Sequence, residues 1–342
     1  MGSSSRPGRS RRLFGRLTAT VAPPVRVVER RITPPRHALG YAPPMVQCPR
    51  CRQPWQVGHP CGVEERDGIP DLYVPAPEAG EDVAVTERVR LFYEERPFPD
   101  YRDTDDLGAL VRKGRANGFT RDLDDAIPPR ATVVEVGCGT GQMSLFLAVA
   151  GRSVVGVDLT WASLGLAESF RRKAGIPSAQ FVRANVFRLP FADASVDVVI
   201  SNGVLHHTAN PRAGFAELAR IVRPGGYVLV GLYNRYGRAL LPLLASAHRK
   251  GTSAREKAWY NDQHLHPQES RHTADEVLGW LAEEGLTFVS ASPPLELGAA
   301  PGPLFSPSSS GTPLGRFFAQ LSWLPRAGDG GLWVTVAQKP LA

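Results

Sequence analysis

The feature that most constrains the fold of this chain is a run of β-branched residues that leads straight into a glycine-rich turn. Residues 132–136 read Thr-Val-Val-Glu-Val, and Gly137, Gly139 and Gly141 follow before a helical pattern begins. Glycines at such a junction allow the backbone to approach a bound group closely at the carboxyl end of a strand. The segment therefore predicts a cofactor-binding loop after the first strand of a parallel sheet.

After residue 129 the pattern alternates between strands and helices, which is typical of a parallel sheet with helical crossovers. The unbroken Val/Ile run at 196–201 predicts a buried central strand, and Asn210 followed by Pro211 predicts a helix start. Irregular structure is expected for residues 293–331, which are rich in Gly, Pro and Ser. The strands are predicted at 132–136, 153–157, 180–183, 196–201, 227–230, 286–290 and 332–338, and the helices at 85–93, 141–150, 161–174, 274–284 and from 211.

The glycine spacing and two acids distinguish between cofactors. A dinucleotide loop reads G-x-G-x-x-G, whereas here the third glycine comes one residue early and Glu135 lies within the approach to the turn. A carboxylate would repel a pyrophosphate, but it tolerates a ligand with an ammonium and a sulfonium group. Asp158 ends the second strand, where it can accept hydrogen bonds from both ribose hydroxyls, and Leu159 can lie against an adenine. Taken singly, the glycine run is equally well explained as a tight strand-to-helix turn, and Asp158 as a solvated acid in a loop.

In combination, the motifs resemble the class I S-adenosylmethionine-dependent methyltransferases. Residues 183–191, 193–207 and 223–226 are similar to that family's adenine-recognition segment, its fourth-strand signature and its turn before strand five. The resemblance is specific over about residues 130–235, and it implies a Rossmann-like α/β fold. That fold has a seven-stranded, mostly parallel sheet with helices on both faces and an antiparallel last strand. The cofactor-binding residues that the resemblance implies are Glu135, Gly137, Cys138, Gly139, Gly141, Asp158, Leu159, Asn185, Val186 and Ser201.

One position departs from the family pattern. The family usually has Asp where this chain has Asn185, and that carboxylate accepts a hydrogen bond from the adenine amino group. An amide oxygen can accept the same bond. We therefore expect a weaker adenine contact at Asn185 rather than its loss.

Two adjacent histidines follow the fourth strand and are the predicted catalytic residues. Methyl transfer depends chiefly on holding the two reactants in line, so that no dedicated base is compulsory. A neutral imidazole of His206 or His207 could nevertheless take the proton from an attacking hydroxyl or amine. The alternative is that one histidine packs in the core and the other is solvated.

A second polar cluster follows the fifth strand, with three histidines and two acids between residues 262 and 272. Imidazole and carboxylate groups are ordinary ligands for zinc or iron. However, His264 and His266 would face opposite ways in a strand, and the proline after His266 favours a turn. We therefore favour a substrate-facing segment over a metal site, with a solvated loop as the remaining alternative. The predicted substrate contacts are Tyr233, His264 and His266.

The N-terminal part contains a cysteine knuckle. Two residues separate Cys48 from Cys51, a spacing that lets both thiolates bind one zinc ion. His59 and Cys61 could complete the tetrahedral set of ligands. Residues 67–72 are similar to the end of a zinc-ribbon-like module that precedes some bacterial methyltransferase domains. The second half departs from that module, because a glycine stands where its second C-x-x-C pair would begin. Both a structural zinc site and a site that has lost its metal remain open.

Charge is distributed unevenly along the chain. Residues 1–60 hold eleven arginines and one acid, so that they carry +10, whereas the other 282 residues carry a net charge of −3. The predicted organisation is a disordered basic arm at 1–44, the Cys-rich knuckle at 45–76, and a methyltransferase domain at 84–342. Within that domain we expect insertions at about 233–273 and 293–331. The body itself shows no footprint for nucleic acid.

Three functions can be compared at this stage. The favoured one is S-adenosylmethionine-dependent methylation of an O, N or C nucleophile on a small molecule, because the insertions would enlarge a pocket. RNA methylation through the basic arm and the knuckle is the alternative. A non-catalytic adaptor is disfavoured, because it would not need Glu135, Gly137 and Asp158 at this spacing. No apolar window of about 18 residues predicts a transmembrane helix, and four cysteines favour a reducing, cytoplasmic setting.

Overall fold

The computed structural model describes residues 46–56, 58–99, 106–239, 266–324 and 331–341. Residues 41–342 form one compact unit. The predicted arm at 1–44 and the substrate candidate His264 lie outside the described residues. The strands are β1 (Glu65–Arg66), β2 (Ile69–Pro70), β3 (Thr132–Val136), β4 (Ser153–Asp158), β5 (Ala179–Arg183), β6 (Val196–Asn202), β7 (Val222–Tyr233), β8 (Thr287–Ser292) and β9 (Leu332–Gln338). The helices are α1 (Val83–Glu95), α2 (Leu107–Ala116), α3 (Gly118–Ala126), α4 (Gln142–Val149), α5 (Trp161–Ala174), α6 (Pro211–Ile221), α7 (Ala274–Glu283) and α8 (Pro313–Leu321).

A central sheet of seven strands organises the molecule, in the order β5-β4-β3-β6-β7-β9-β8. The pairs from β5 to β7 are parallel, and β9 runs antiparallel to both β7 and β8. The predicted seven-stranded, mostly parallel sheet with an antiparallel last strand is therefore confirmed. The strand order reverses between β3 and β6, and in open α/β sheets a ligand crevice lies at the carboxyl ends of the strands beside such a reversal.

Local signals explain where most helices begin and end. The Asn210 side chain accepts a hydrogen bond from Ala213 N and caps α6, whose first residue is Pro211. Thr273 and Glu276 form a capping box at the start of α7. Among the described residues, no helix is both long and apolar enough to cross a membrane.

Three helices were missing from the sequence prediction. Residues 107–126 form α2 and α3, capped by Asp106 and Asn117, and each packs a short apolar stripe that includes Leu110 or Leu123 against the core. The irregular structure predicted for 293–331 is wrong in part, because Pro313–Leu321 is helical. Thr312 accepts a hydrogen bond from Gly315 N and caps that helix. In each case a capping side chain was the local signal that could have been used.

Candidate functional site

A large cavity of about 1540 Å³ lies at the carboxyl ends of β3, β4 and β6. One small ligand usually occupies roughly 300–1,000 Å³, so this cavity can hold a cofactor and a second molecule. Ten predicted site residues line it: Glu135, Gly137, Cys138, Gly139, Asp158, Leu159, Asn185, Val186, His207 and Tyr233. Four other predicted residues lie beside it and do not form its wall: Gly141, Ser201, His206 and His266. Ser201 is fully buried within β6, whereas its neighbour Asn202 faces the cavity.

The loop after β3 requires glycine for two reasons. Gly137 and Gly139 have φ angles of 76° and 52°, in the left-handed region that residues with a Cβ rarely adopt. A Cβ added to Gly137 would lie 2.2 Å from Val204 Cγ2, and one added to Gly139 would lie 2.2 Å from the Phe98 carbonyl oxygen. The loop is thus held tightly between its neighbours, with its backbone facing the cavity.

Two carboxyl groups stand beside this loop, that of Glu135 buried and that of Asp158 half-buried. Ser144 Oγ donates to Glu135 Oε2 at 2.5 Å, and burial raises the pKa of Glu135 to about 8, with a smaller contribution from the charge of Asp158. Asp158 accepts from Gly139 N at 2.8 Å and from Thr160 N and Oγ1, both at 2.9 Å. Burial also raises the pKa of Asp158. Two acids at one end of the cavity create a site that favours a cationic ligand.

The adenine side of the predicted site is formed by Leu159, Asn185 and Val186. The Asn185 side chain is almost completely buried, and its Oδ1 accepts from Phe187 N at 3.1 Å. Its Nδ2 donates to the Val74 carbonyl oxygen at 3.3 Å. The oxygen keeps a second lone pair that could accept a hydrogen bond from an adenine amino group.

The two predicted catalytic histidines contact each other, and their hydrogen bonds define their tautomers. His207 Nδ1 lies 2.8 Å from the Gln268 carbonyl oxygen, which can only accept, so that Nδ1 carries the proton. His207 Nε2 therefore has a lone pair, and His206 Nε2, 3.1 Å away, donates to it. Burial lowers the pKa of His207 to about 4. His207 is thus a neutral imidazole at physiological pH, and it is the member of the pair that lines the cavity.

Aromatic rings surround this pair. Tyr233 stacks on His206 with ring centroids 3.7 Å apart, and His266 stacks on His207 at 3.5 Å. The fully buried Arg238 lies over the Tyr233 ring and forms an ion pair with Glu269 at 2.6 Å. The described part of the predicted polar cluster at 262–272 therefore packs around the histidines.

Helix α1 and the loop after it form part of the cavity wall, as do α2 and α3. Tyr93 lines the cavity, and the neighbouring Glu94 accepts from Trp161 N and Ala162 N at 3.1 and 3.2 Å. That carboxylate thus satisfies the first turn of α5, whose N-cap side chain forms no capping bond. Phe119 of α3 also faces the cavity, and no motif in the sequence indicated this role.

The predicted zinc ligands come together in space. The Sγ atoms of Cys48, Cys51 and Cys61 and one ring nitrogen of His59 all lie within 4.8 Å of one another. Cys51 Sγ is 3.1 Å from His59 Nε2. Three thiols and one imidazole form a donor set that suits tetrahedral zinc. The residues present therefore fit a structural zinc ion.

Comparison with known proteins finds similarity to methyltransferases. Residues 134–230 match the model of a family described as "Methyltransferase domain". The chain is 34% identical over 116 residues to the ubiquinone biosynthesis O-methyltransferase of Paracidovorax citrulli, which covers 34% of this chain and 49% of that protein. It is 29% identical over 210 residues to the demethylmenaquinone methyltransferase of Renibacterium salmoninarum. That match covers 56% of this chain and 81% of the relative. The solved geranyl diphosphate C-methyltransferase of Streptomyces coelicolor A3(2) has a TM-score of 0.47 and 15% identity, over 76% of this chain and 99% of that chain.

The strand order, the glycine loop and the family match identify the class of domain. Residues 134–230 form a methyltransferase domain, and its sheet has the Rossmann-like strand order that the motifs predicted. The chain spans about half the length of several curated relatives that it matches.

Proposed function

We propose that this protein transfers a methyl group from S-adenosylmethionine to an O, N or C nucleophile of a small molecule. The observation that carries the proposal is the glycine loop with Glu135 and Asp158 at one end of a cavity large enough for two molecules. The relatives named for ubiquinone biosynthesis and for demethylmenaquinone support a small acceptor. The cytoplasm is the proposed location, in keeping with the four free thiols.

The residues around the cavity have distinct roles in this proposal. Asp158 is placed to accept from the ribose hydroxyls, and Glu135 provides a carboxylate for the cationic part of the cofactor. When bound, S-adenosylmethionine supplies an activated methyl group on sulfonium. Leu159 and Val186 provide apolar contacts on the adenine side, and the aromatic residues beside His207 exclude water from the acceptor.

His207 is the proposed general base. Its Nε2 carries the lone pair, because Nδ1 donates to the Gln268 carbonyl. An acceptor hydroxyl could donate to that lone pair in place of His206 and lose its proton as it attacks. The hydrogen bond from Nδ1 to the Gln268 carbonyl and the stacked His266 ring would then orient the imidazole.

A structural zinc ion in the Cys48, Cys51, His59 and Cys61 cluster is part of the proposal, because these residues already present their ligand atoms to one point. Zinc held by four protein ligands has no open position for catalysis. Its expected contribution is therefore to the folding of residues 46–66.

Transfer of labelled methyl from S-adenosylmethionine tests the function, with a small-molecule extract and total RNA offered in parallel. We expect label in the small-molecule fraction and a large loss of turnover in His207→Asn, which keeps a polar side chain but lacks a base. Asp193→Asn, at an exposed acid outside the cavity lining, is the control. Label confined to RNA would favour the alternative function, and label in neither fraction would contradict methyl transfer.

A further inference from the structure

Arg183 links the cofactor cavity to the N-terminal segment, by which we mean residues 46–56 and 58–78. Its Nη1 donates to both Asp71 carboxylate oxygens at 2.9 and 2.8 Å, and its Nε donates to the Leu159 carbonyl oxygen at 2.9 Å. Its guanidinium also lies over the rings of Tyr73 and Trp161, 4.9 and 5.4 Å from their centroids. Because Leu159 lines the cavity, the backbone on the adenine side is held by a side chain that Asp71 in turn holds.

Backbone hydrogen bonds join the same two parts of the chain. Leu72 N donates to the Arg183 carbonyl oxygen, and Gln47 N donates to the Pro190 carbonyl oxygen, both at 2.8 Å. The N-terminal segment thus contacts both ends of residues 183–190, the stretch that contains the adenine-side residues Asn185 and Val186. The chain that follows residue 74 is also packed, since Ala76 is fully buried.

Asn185 also contacts the N-terminal segment, through a hydrogen bond that its amide can donate and a carboxylate cannot. Its Nδ2 donates to the Val74 carbonyl oxygen, whereas a carboxylate at this position would place two acceptors against each other. This is the position where the family pattern has Asp. The substitution of Asn for Asp therefore gains a bond to the N-terminal segment.

We propose that residues 71–74 support the cofactor site from behind the cavity wall, and that Asp71, Arg183 and Asn185 are positioning residues that tie this segment to the adenine side. This inference rests on the proposed function, because it assigns the cavity to S-adenosylmethionine. Asn185 acts chiefly as the tether to Val74, and its contact with adenine is secondary. Cofactor affinity is then set in part by residues outside the conventional methyltransferase core.

The variant Asn185→Asp separates the two roles of this residue, because they predict opposite changes in cofactor affinity. If the adenine contact dominates, the carboxylate is a stronger acceptor and cofactor affinity rises. If the tether dominates, affinity falls, on the order of tenfold for one lost buried hydrogen bond and one uncompensated carbonyl group. Calorimetric binding of S-adenosylhomocysteine measures the difference. If Asn185→Asp binds S-adenosylhomocysteine as tightly as the wild type or more tightly, the proposed role of Asn185 as a tether is wrong.

A second variant tests the same idea away from the cavity wall. In Asp71→Asn, Arg183 loses its charged partner, so we expect a several-fold higher KM for S-adenosylmethionine with kcat nearly unchanged. The matched control is Glu78→Gln. Glu78 pairs with Arg188, which also joins the N-terminal segment to residues 183–190. Both side chains are exposed, and the Arg188 side chain, unlike that of Arg183, has no described hydrogen bond to a residue that lines the cavity.

The outcomes are distinguishable. Equal KM values in the wild type and Asp71→Asn would overturn the proposal, as would an equal rise in Asp71→Asn and Glu78→Gln. Asp71→Glu, which keeps the charge, should restore much of the affinity, whereas its failure to do so together with a lower melting temperature would indicate a merely structural role. Failure of the wild-type protein to bind S-adenosylhomocysteine would instead contradict the proposed function itself.

Discussion

The buried carboxyl group of Glu135 makes cofactor binding depend on pH in a direction that can be derived. Its pKa of about 8 means that about 90% of the free protein carries a neutral Glu135 at pH 7. A cationic cofactor favours the ionised carboxylate, so binding must release this proton. Affinity should therefore rise with pH up to about 8 and then level off.

The size of the effect follows from the fraction of ionised Glu135. That fraction increases about 25-fold between pH 6.5 and 8.5 for a pKa of about 8, so affinity should increase by a similar factor if only the ionised form binds. At pH 7 about 0.9 proton should be released for each cofactor bound. Ser144→Ala removes the hydrogen bond that stabilises the carboxylate, so it should raise the pKa of Glu135 further and move the rise in affinity to higher pH.

Titration calorimetry in buffers of different ionisation enthalpy measures both the affinity and the released proton. The control is Glu135→Gln, whose amide oxygen can still accept from Ser144 and which does not titrate. The cofactor's own ammonium titrates equally in both proteins, so the difference between them isolates Glu135. The two affinities should converge near pH 6.5 and separate above pH 7.5. Parallel pH profiles in the two proteins would refute the reasoning.

Three further predictions concern the cofactor, the knuckle and the arm. Asp158→Ala should weaken cofactor binding by about 1.5–3 kcal/mol, because charge-assisted bonds are lost, and calorimetry showing equal affinity would contradict the site. Elemental analysis should find one zinc per chain in the wild type and none in a Cys48→Ser/Cys51→Ser variant; equal metal content in both would exclude the knuckle as its site. Deletion of residues 1–44 should leave turnover on a small molecule nearly intact, whereas lost turnover with salt-sensitive RNA binding by the full chain would favour an RNA substrate.

Elements with strong local signals were predicted from the sequence almost residue for residue. The bounds of β3 and α5 agree with the predicted 132–136 and 161–174. A β-branched run has a preferred backbone conformation of its own, and α5 ends at Gly175, whose φ of 64° suits a residue without a Cβ. The glycine loop was predictable for the same reason, since its backbone conformation excludes other residues.

One of the missed helices, α8, has apolar residues that do not form an inward stripe. In α8 the exposed side chains include Leu314, Phe317 and Phe318, whereas Gln320 is fully buried. Gln320 is buried because its oxygen accepts from Asn234 Nδ2 and Ala274 N. A polar residue inside and apolar residues outside reverse the usual pattern, and only the tertiary neighbours explain the reversal.

The sequence by itself determined the class of fold, the cofactor loop and the residue types of the candidate site. Only the tertiary structure decided which of those residues meet. Asp71 and Arg183 are 112 positions apart, and Asn185 contacts Val74 across a similar separation. Pairing of the N-terminal segment with the edge strand β5 brings such residues together, and no local period or propensity encodes that pairing. The histidine tautomers likewise depend on tertiary structure. They could be assigned only because the Gln268 carbonyl oxygen, 61 positions from His207 in the chain, lies within hydrogen-bond distance of His207 Nδ1.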